Sequence, residues 1–339
     1  MIRITHSSMS LAKTCLRAYE FRYVTGIVRE RTDPPLRIGS LFHEGLEKKA
    51  IPDKPEYPDW CRDPEERYKH DCDYELAVAM VRAYLEYWED DACETIVAEQ
   101  MFSSAIYNPA TGRSSRTVEV GGKVDKIVRL PDGRKALMEH KTTSEDLEPD
   151  SYYWSRLMLD QQVSLYYMHA DVETVLYDVT RRPALRPKMV PVLDEHGFEV
   201  VVDDETGDRV FKKNGEPRKT AGKGMTRETE PEDPYDFGER VYAAMSEEPE
   251  RYFARREIPR TEADIEEFQK ELWIQAKILY ECTQRKFFFR NTNACKTWGR
   301  PCQFFDLCYC GWRPGYPLPV GYVFRTAHSE LKEERNGQE

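Results

Sequence analysis

Apolar residues near the start of the chain recur with helical spacing. Ser7 or Ser8 can cap a helix whose inner face takes Leu11, Cys15, Tyr19 and Phe21 or Tyr23, with Gly26 fitting its end. After Pro34-Pro35 a second helix, about Gly39 to Lys49, turns Leu41, Phe42 and Leu46 inward. Residues 51–70 are rich in Pro, Asp and Arg and read as a surface excursion. A long helix follows from about Asp73 to Asp90 along the stripe Leu76, Met80, Val81, Tyr84 and Tyr87. Strands are expected at 94–106 and 115–130, a helix at 151–170, and a strand from Glu173 to Thr180. A last helix, about Thr261 to Thr283, packs through Ile265, Phe268, Leu272, Ile274 and Leu279, and the charged tail after about Ala327 is expected to fray.

The most informative stretch is Gly121 to Thr143, GGKVDKIVRLPDGRKALMEHKTT. Two β-prone runs flank Pro131-Asp132-Gly133, whose residue types favour a tight turn, so the stretch predicts a hairpin. Glu139 and Lys141 are two apart and leave the same face of a strand. A turn centred on Asp132 places Asp125 and Glu139 opposite each other, roughly 5 Å apart at Cβ. Two adjacent carboxylates repel unless a cation sits between them. Hard oxygen ligands with open positions suit Mg²⁺ or Mn²⁺, and a lysine beside them would steady charge developing at a phosphate. The plainer alternative is a solvated E-x-K pair on an exposed strand.

Composition narrows the class. The chain has 339 residues, 40% hydrophobic and 33% charged, enough for a sizeable core. No apolar run approaches the roughly 20 residues that span a bilayer. The N-terminus lacks the apolar core of a signal peptide. The expectation is a cytoplasmic protein with no membrane partner. The net charge of −11 opposes general adhesion to nucleic acid, so any such binding needs a local basic surface. Residues 181–235 supply one: Arg181, Arg182, Arg186 and Lys188, then Lys212, Lys213, Arg218, Lys219, Lys223 and Arg227. They read as an insertion with a hairpin around 190–212 and a loop after it. Nine cysteines in a reducing compartment are not a disulfide framework. Cys61, Cys72, Cys93 and Cys282 are scattered, whereas Cys295, Cys302, Cys308 and Cys310 cluster. Four thiolates are the usual ligand set of a [4Fe–4S] cluster or a structural zinc.

Gly122-x-x-Asp125 followed by Glu139-x-Lys141 resembles the active site of the PD-(D/E)XK nuclease superfamily. Four further features resemble its RecB-type iron–sulfur exonuclease branch, including the CRISPR-associated RecB-like nucleases, the AddB nuclease domain and phage-encoded versions. They are Ser10 to Tyr19 around Cys15, Gly39-Ser-Leu-Phe-His43, Gln162-Val-Ser-Leu-Tyr166 and the C-terminal cysteines. The set covers most of the chain in the family's order.

The resemblance implies an α/β restriction-endonuclease-like core with a mixed central sheet flanked by helices. It also implies a metal-dependent DNA exonuclease acting in recombination, repair or processing, possible partners being other proteins of those processes. Asp125, Glu139, His43 and the His140 backbone carbonyl would hold Mg²⁺ or Mn²⁺. Lys141, Gln162 and Tyr166 would act with Asp125 and Glu139 on the scissile strand. Cys15, Cys295, Cys302 and Cys308 would hold a [4Fe–4S] cluster, zinc being the alternative occupant. The Cys295–Cys302 gap is wider than relatives often have, so Cys310 could replace one ligand. The expected organisation is a single nuclease domain over 1–339. Within it, 1–50 carries the first cysteine and the metal histidine, 94–180 is the catalytic core, 181–235 the basic insertion and 286–315 the cysteine cluster. Two rivals remain: a catalytically silent DNA-binding subunit of the same fold, and a zinc-stabilised interaction protein.

Overall fold

A computed structural model of the chain describes residues 1–58, 61–297, 299–328 and 331. In chain order the elements begin with β1 (Ile2–Ile4), α1 (His6–Thr14), α2 (Leu16–Tyr19), a π-helical turn over Glu20–Val24, and β2 (Ile27–Arg29). There follow α3 (Pro34–Lys48), α4 (Pro64–Tyr87), β3 (Glu94–Tyr107), β4 (Ser114–Arg129) and β5 (Lys135–Thr143). Next come α5 (Tyr152–Leu157), α6 (Gln161–Tyr167), β6 (Thr174–Arg181), β7 (Met189–Pro191), β8 (Val201–Asp203), β9 (Met225–Arg227) and β10 (Thr229–Pro231). The last are α7 (Pro234–Glu247), β11 (Phe253–Glu257), α8 (Glu262–Arg285), β12 (Lys296–Thr297), β13 (Arg300–Pro301), α9 (Phe305–Tyr309) and β14 (Tyr322–Phe324).

Contacts divide the chain into two compact units. The first comprises 1–36, 88–181 and 250–339, and the second 37–87 and 182–249. The first unit is built on a mixed six-stranded sheet in which β4 is central. β3 runs antiparallel along one edge of β4. The other edge is shared: β1 pairs parallel with Val118–Val120, and β5 pairs antiparallel with Lys126–Arg129. β5 then pairs parallel with β6, and β6 antiparallel with β11. Side chains alternate across the sheet. Leu137, Val175, Tyr177 and Val179 enter the main core with Met9, Leu165, Leu272 and Leu279 of the covering helices. Met138, Ala136 and Leu176 join Val128 and Leu130 in a separate cluster.

The second unit carries α3, α4 and α7. β7 pairs with β10 and β8 with β9. Within the expected hairpin region 190–212 the chain does turn back on itself, through antiparallel bridges at Leu193–Glu199 and Val202–Arg209, while β7 and β8 take further partners from 225–231, and Val200, Val201 and Val202 are buried. Lys212 is exposed and pairs with Glu216 at 3.1 Å, while Lys219 lies over the Phe198 ring.

Several boundaries moved for identifiable reasons. The first helix is capped by Thr5, not Ser7 or Ser8; the Ser8 hydroxyl instead accepts the Thr5 N–H in a capping box. It also breaks at Cys15, whose backbone is extended. α3 begins at Pro34 because a helix's first turn tolerates proline. α4 reaches back to Pro64, into the segment read as an excursion. The expected 151–170 helix is two helices, with Asp160 capping the second. Ile274 faces solvent at 57% exposure. α7, β1 and β11 were not anticipated. The expectation of a frayed tail falls, apart from His328 and Leu331, outside the described residues.

On the face opposite the main core, charge is buried. Arg255 of β11 clamps Asp91 through two bonds of 2.6 and 2.8 Å and reaches Asp178 Oδ2 of β6 at 3.0 Å. Its guanidinium lies 3.6 Å from the Trp88 ring centre. Asp178 has no exposed side-chain surface, and His140 Nδ1 lies 3.4 Å from its Oδ2. Removing one partner of such a pair strands a desolvated charge. Arg255→Met should therefore cost about 3–5 kcal/mol in urea unfolding, and adding Asp178→Asn should recover much of that loss. A cost below about 1 kcal/mol, the range of exposed pairs, would show that the Asp178 charge is otherwise compensated.

Candidate active site

The site begins with the hairpin between β4 and β5. Leu130 N–H donates to the Arg134 carbonyl, Gly133 N–H donates to the Leu130 carbonyl, and Gly133 adopts φ 93°. This is a three-residue connection closed by a left-handed glycine. The turn is centred on Asp132, and the ladder runs outward through Arg129–Lys135 to Lys126–Met138. One step further the register sets Asp125 opposite Glu139, as the turn residues predict. There the two strands part. β5 stays with β6 through Thr143, and the N–H of His140 donates to the Asp125 carboxylate at 2.9 Å instead of to a strand carbonyl. The parting leaves a cleft whose floor is made of acids.

Glu139 is 2% exposed, and its Oε1 lies 3.1 Å from Lys141 Nζ. Its Oε2 is buried without a hydrogen-bond partner. Burial, and after it the charge of Asp125, push the Glu139 carboxyl up to about 8, with Lys141 opposing. Burial acts to lower the Lys141 ammonium, yet the surrounding carboxylates of Glu139, Asp160 and Asp125 prevail and hold it above its ordinary value. Lys141 therefore stays charged. It donates to Gln162 Oε1 at 2.5 Å and lies 3.4 Å from Asp160 Oδ2.

Helix α6 supplies the wall. Asp160 caps it by accepting the Gln162 N–H at 2.9 Å through its other oxygen, so one carboxylate both fixes the helix start and holds the lysine. Gln162 Nε2 donates to the Tyr166 hydroxyl at 3.3 Å, across one helical turn. Burial and the field of Glu139 raise the Tyr166 hydroxyl, which keeps its proton. Gly122 explains itself here. A Cβ at that position would stand 2.6 Å from the Phe102 ring and 2.7 Å from the Tyr166 ring.

Asp125, Glu139, Lys141, Gln162 and Tyr166 are thus brought together. The His140 side chain leaves the opposite face toward Asp178, so only its backbone borders the cleft. His43 lies on α3 in the second unit, edge-on to Phe42. Two residues were missed. Asp160 was hidden because the apolar pattern runs on through the helix break, although an Asp ahead of Gln161-Gln162 is itself a cap signal. His6, the first residue of α1, feels the charges of Asp160, Lys141 and Lys13, while burial keeps its imidazole below the ordinary value.

A second gathering joins the two chain ends. Arg17 N–H donates to the Phe289 carbonyl at 3.1 Å, and β2 pairs with β14. Cys302 N–H donates to the Cys295 carbonyl at 2.8 Å, and Asn291 N–H points at Cys15 Sγ, 3.4 Å away. Cys15, Cys302 and Cys308 pack against one apolar cluster with Phe21, Phe304 and Trp312. Burial first, then the neighbouring Cys15 and Cys295, raise the Cys302 thiol. Burial first also raises Cys308, with Arg290 opposing and Cys15 and Cys302 adding. Cys310 is exposed and directs its thiol to the Leu307 carbonyl at 3.8 Å. All nine cysteines are free thiols. Among the described residues, no group of three or more His, Cys, Asp or Glu side chains forms a ready-made metal site, and no helix is long and apolar enough to cross a membrane.

A hairpin carrying D…E-x-K, a mixed sheet and a flanking Q-x-x-x-Y helix define a nuclease class. The chain belongs to the PD-(D/E)XK nuclease superfamily, whose sequence profile matches residues 3–308. No curated protein matches it. One solved structure, described as the crystal structure of SSO0001, is similar at 14% identity over 62% of this chain and 84% of that one, with a TM-score of 0.20.

The raised Glu139 carboxyl has a thermodynamic consequence. In the unfolded chain Glu139 returns to the ordinary carboxylate range. Between there and about pH 8 the folded protein therefore holds the extra proton. The stability this provides is full at low pH and is lost as pH rises through about 8. In chelator the Tm should fall across that window, and Glu139→Gln should flatten the slope. An equal slope in both proteins would refute the buried, protonated Glu139.

Proposed function

We propose that this nuclease-superfamily chain is a metal-dependent DNA exonuclease acting on single strands or DNA ends in recombination, repair or processing. The observation that carries the reading is the cleft itself. Two carboxylates stand opposite each other, one with a buried, unpartnered oxygen, beside a lysine that stays charged. That donor set fits Mg²⁺ or Mn²⁺: Asp125, Glu139 and the His140 carbonyl offer hard oxygens and leave positions for water and substrate. His43 enters the set on its spacing from Gly39 alone. When bound, the metal would supply a nucleophilic water at neutral pH and polarise the phosphodiester.

The remaining work belongs to this chain's own atoms. Lys141 brings a fixed ammonium to the place where phosphorane charge develops, so no reorganisation is needed at the moment of reaction. Gln162 holds that ammonium from the helix side, and Tyr166 holds Gln162. Asp160 completes the cage around the lysine.

We infer that Cys15, Cys295, Cys302 and Cys308 hold a [4Fe–4S] cluster. The support is the shared neighbourhood of these free thiols, with Cys15, Cys302 and Cys308 on one apolar cluster and Cys302 bonded to the Cys295 carbonyl, while the exposed Cys310 turns its thiol to the Leu307 carbonyl. Such a cluster would staple α1 to the C-terminal segment, and the entropy of closing so long a loop rises only logarithmically with length.

End-labelled single- and double-stranded DNA, incubated with Mg²⁺, Mn²⁺ or EDTA, tests the activity. Cleavage should require the metal and release products from an end. Glu139→Gln or Lys141→Ala should reduce the rate at least a hundredfold without changing the fold, as loss of a transition-state contact does. Full activity in Glu139→Gln would sink the assignment. Protein purified without oxygen should be brown with about four irons per chain, and Cys302→Ser should lose colour and solubility together. Stoichiometric zinc in colourless protein would replace the cluster reading.

A further inference from the structure

Arg260 is a buried cation that the chemistry of the cleft leaves unused. It is 7% exposed, and among the described residues no carboxylate forms an ion pair with it. Uncharged oxygens meet its guanidinium instead. Nη2 stands 3.0 Å from the Leu157 carbonyl, 3.1 Å from the Asp160 carbonyl and 3.2 Å from the Tyr177 hydroxyl, while Nε donates to the Ser164 hydroxyl at 3.1 Å. Leu157 ends α5 and Asp160 caps α6, so the arginine grips the break between the two helices. Carbonyls at a helix end have no partner within the helix and, when buried, need one from outside. A planar fork meets carbonyls from two directions at once, which the single ammonium of a lysine does not reproduce.

The grip fixes more than a turn. One carboxylate oxygen of Asp160 accepts the Gln162 N–H, and the other lies 3.4 Å from Lys141 Nζ. The Asp160 N–H donates to the Leu157 carbonyl at 3.1 Å, and its carbonyl takes Arg260. Main chain and side chain are therefore each held. Capping α6 requires only the carboxylate; the guanidinium secures the main chain that carries it. Tyr177 closes the circuit. Its hydroxyl accepts from Arg260 and donates to the Leu157 carbonyl at 3.2 Å. In the β5–β6 ladder Tyr177 is the partner of Glu139, so the arginine ties the α6 wall to the strands that carry Glu139 and Lys141. Arg260 is itself set between two fixed points. The Ile258 N–H donates to the Val175 carbonyl at 2.9 Å, and Thr261 caps α8.

We propose that Arg260 is a positioning residue, holding the α5–α6 break so that the Asp160 carboxylate stays on the Lys141 ammonium. It touches no reacting atom and acts only through Asp160. This inference rests on the nuclease reading of the cleft and adds to it a residue from outside the D…E-x-K and Q-x-x-x-Y motifs.

Two readouts separate positioning from plain support of the fold. The first needs neither metal nor turnover. In protein with isotope-labelled lysines, NMR in chelator follows the Lys141 side-chain signal, assigned by its loss in Lys141→Arg. Arg260→Gln should shift that signal toward its place in Asp160→Ala. The second is kinetic, with Mg²⁺ and end-labelled DNA. Arg260→Gln should lower kcat about tenfold or more with KM nearly unchanged, as a small displacement at the chemistry does. In an Asp160→Ala background the same substitution should cost nothing further, because residues that act through one another are not additive. An unmoved Lys141 signal, an unchanged kcat, or an equal loss in both backgrounds would overturn the proposal. Should Arg260→Gln fail to fold, Tyr177→Phe keeps the buried ring and removes one contact of the guanidinium. It should move the Lys141 signal in the same direction, and an unmoved signal would again overturn the role. Wild-type protein that cleaves no DNA would remove the nuclease reading, while the Lys141 signal would still decide whether Arg260 sets the place of the lysine.

Discussion

The structure turns on one expensive act: placing two carboxylates opposite each other at the floor of a cleft, with one of them almost fully buried. Glu139 and Asp125 repel, and Lys141 offsets only part of that cost. The surroundings are best understood as what makes the arrangement tolerable. β4 and β5 part after Lys126–Met138, so Asp125 can take the His140 N–H that the ladder no longer serves. Asp160 and Gln162 close on the lysine from α6. Gly122 gives up a side chain so that the Phe102 and Tyr166 rings can meet over β4. Buried charge demands rigid neighbours, and this site is lined with them.

The reverse of β5 repeats the logic with different partners. His140 separates Glu139 from Lys141 in sequence and points the other way, toward Asp178 and the Arg255 clamp. Its peptide N–H anchors Asp125 on one side, while on the other its ring lies 3.4 Å from the buried Asp178 that Arg255 holds. β5 is thus flanked by buried charged groups on both faces, an arrangement that is weak as a source of stability.

Much of this was legible because local chemistry decided it. Pro131-Asp132-Gly133 admits few turn geometries, and the turn centre fixes the register, which fixes which acids meet. Gln162 and Tyr166 needed only helical spacing. What stayed hidden depended on long-range pairing or on signals that overlap. Thr5, Ser7 and Ser8 are all competent caps, and only tertiary packing chooses Thr5. The apolar residues of 153–166 keep helical period across the break at Asp160, so pattern alone joins two helices. β1 has three residues, too few to show alternation. Asp178 and Arg255 lie 77 positions apart, and nothing local announces that they meet. The second unit, inserted in two pieces, was read only as a basic insertion because its short strands pair across tens of residues.

The pairing of the two chain ends bears on how this molecule comes into being. Ile4 must wait for Val120 before its parallel strand exists, and Ile27 must wait for Phe324. Nascent chains emerge at about 5–20 residues per second, so the N-terminal segment spends many seconds with Phe21, Ile27 and Ala18 uncovered before Phe304 and Tyr322 arrive to bury them. Topologies dominated by such distant partners fold slowly. The period of greatest exposure to aggregation and proteolysis is thus written into the connectivity, and it closes only when β14 reaches β2.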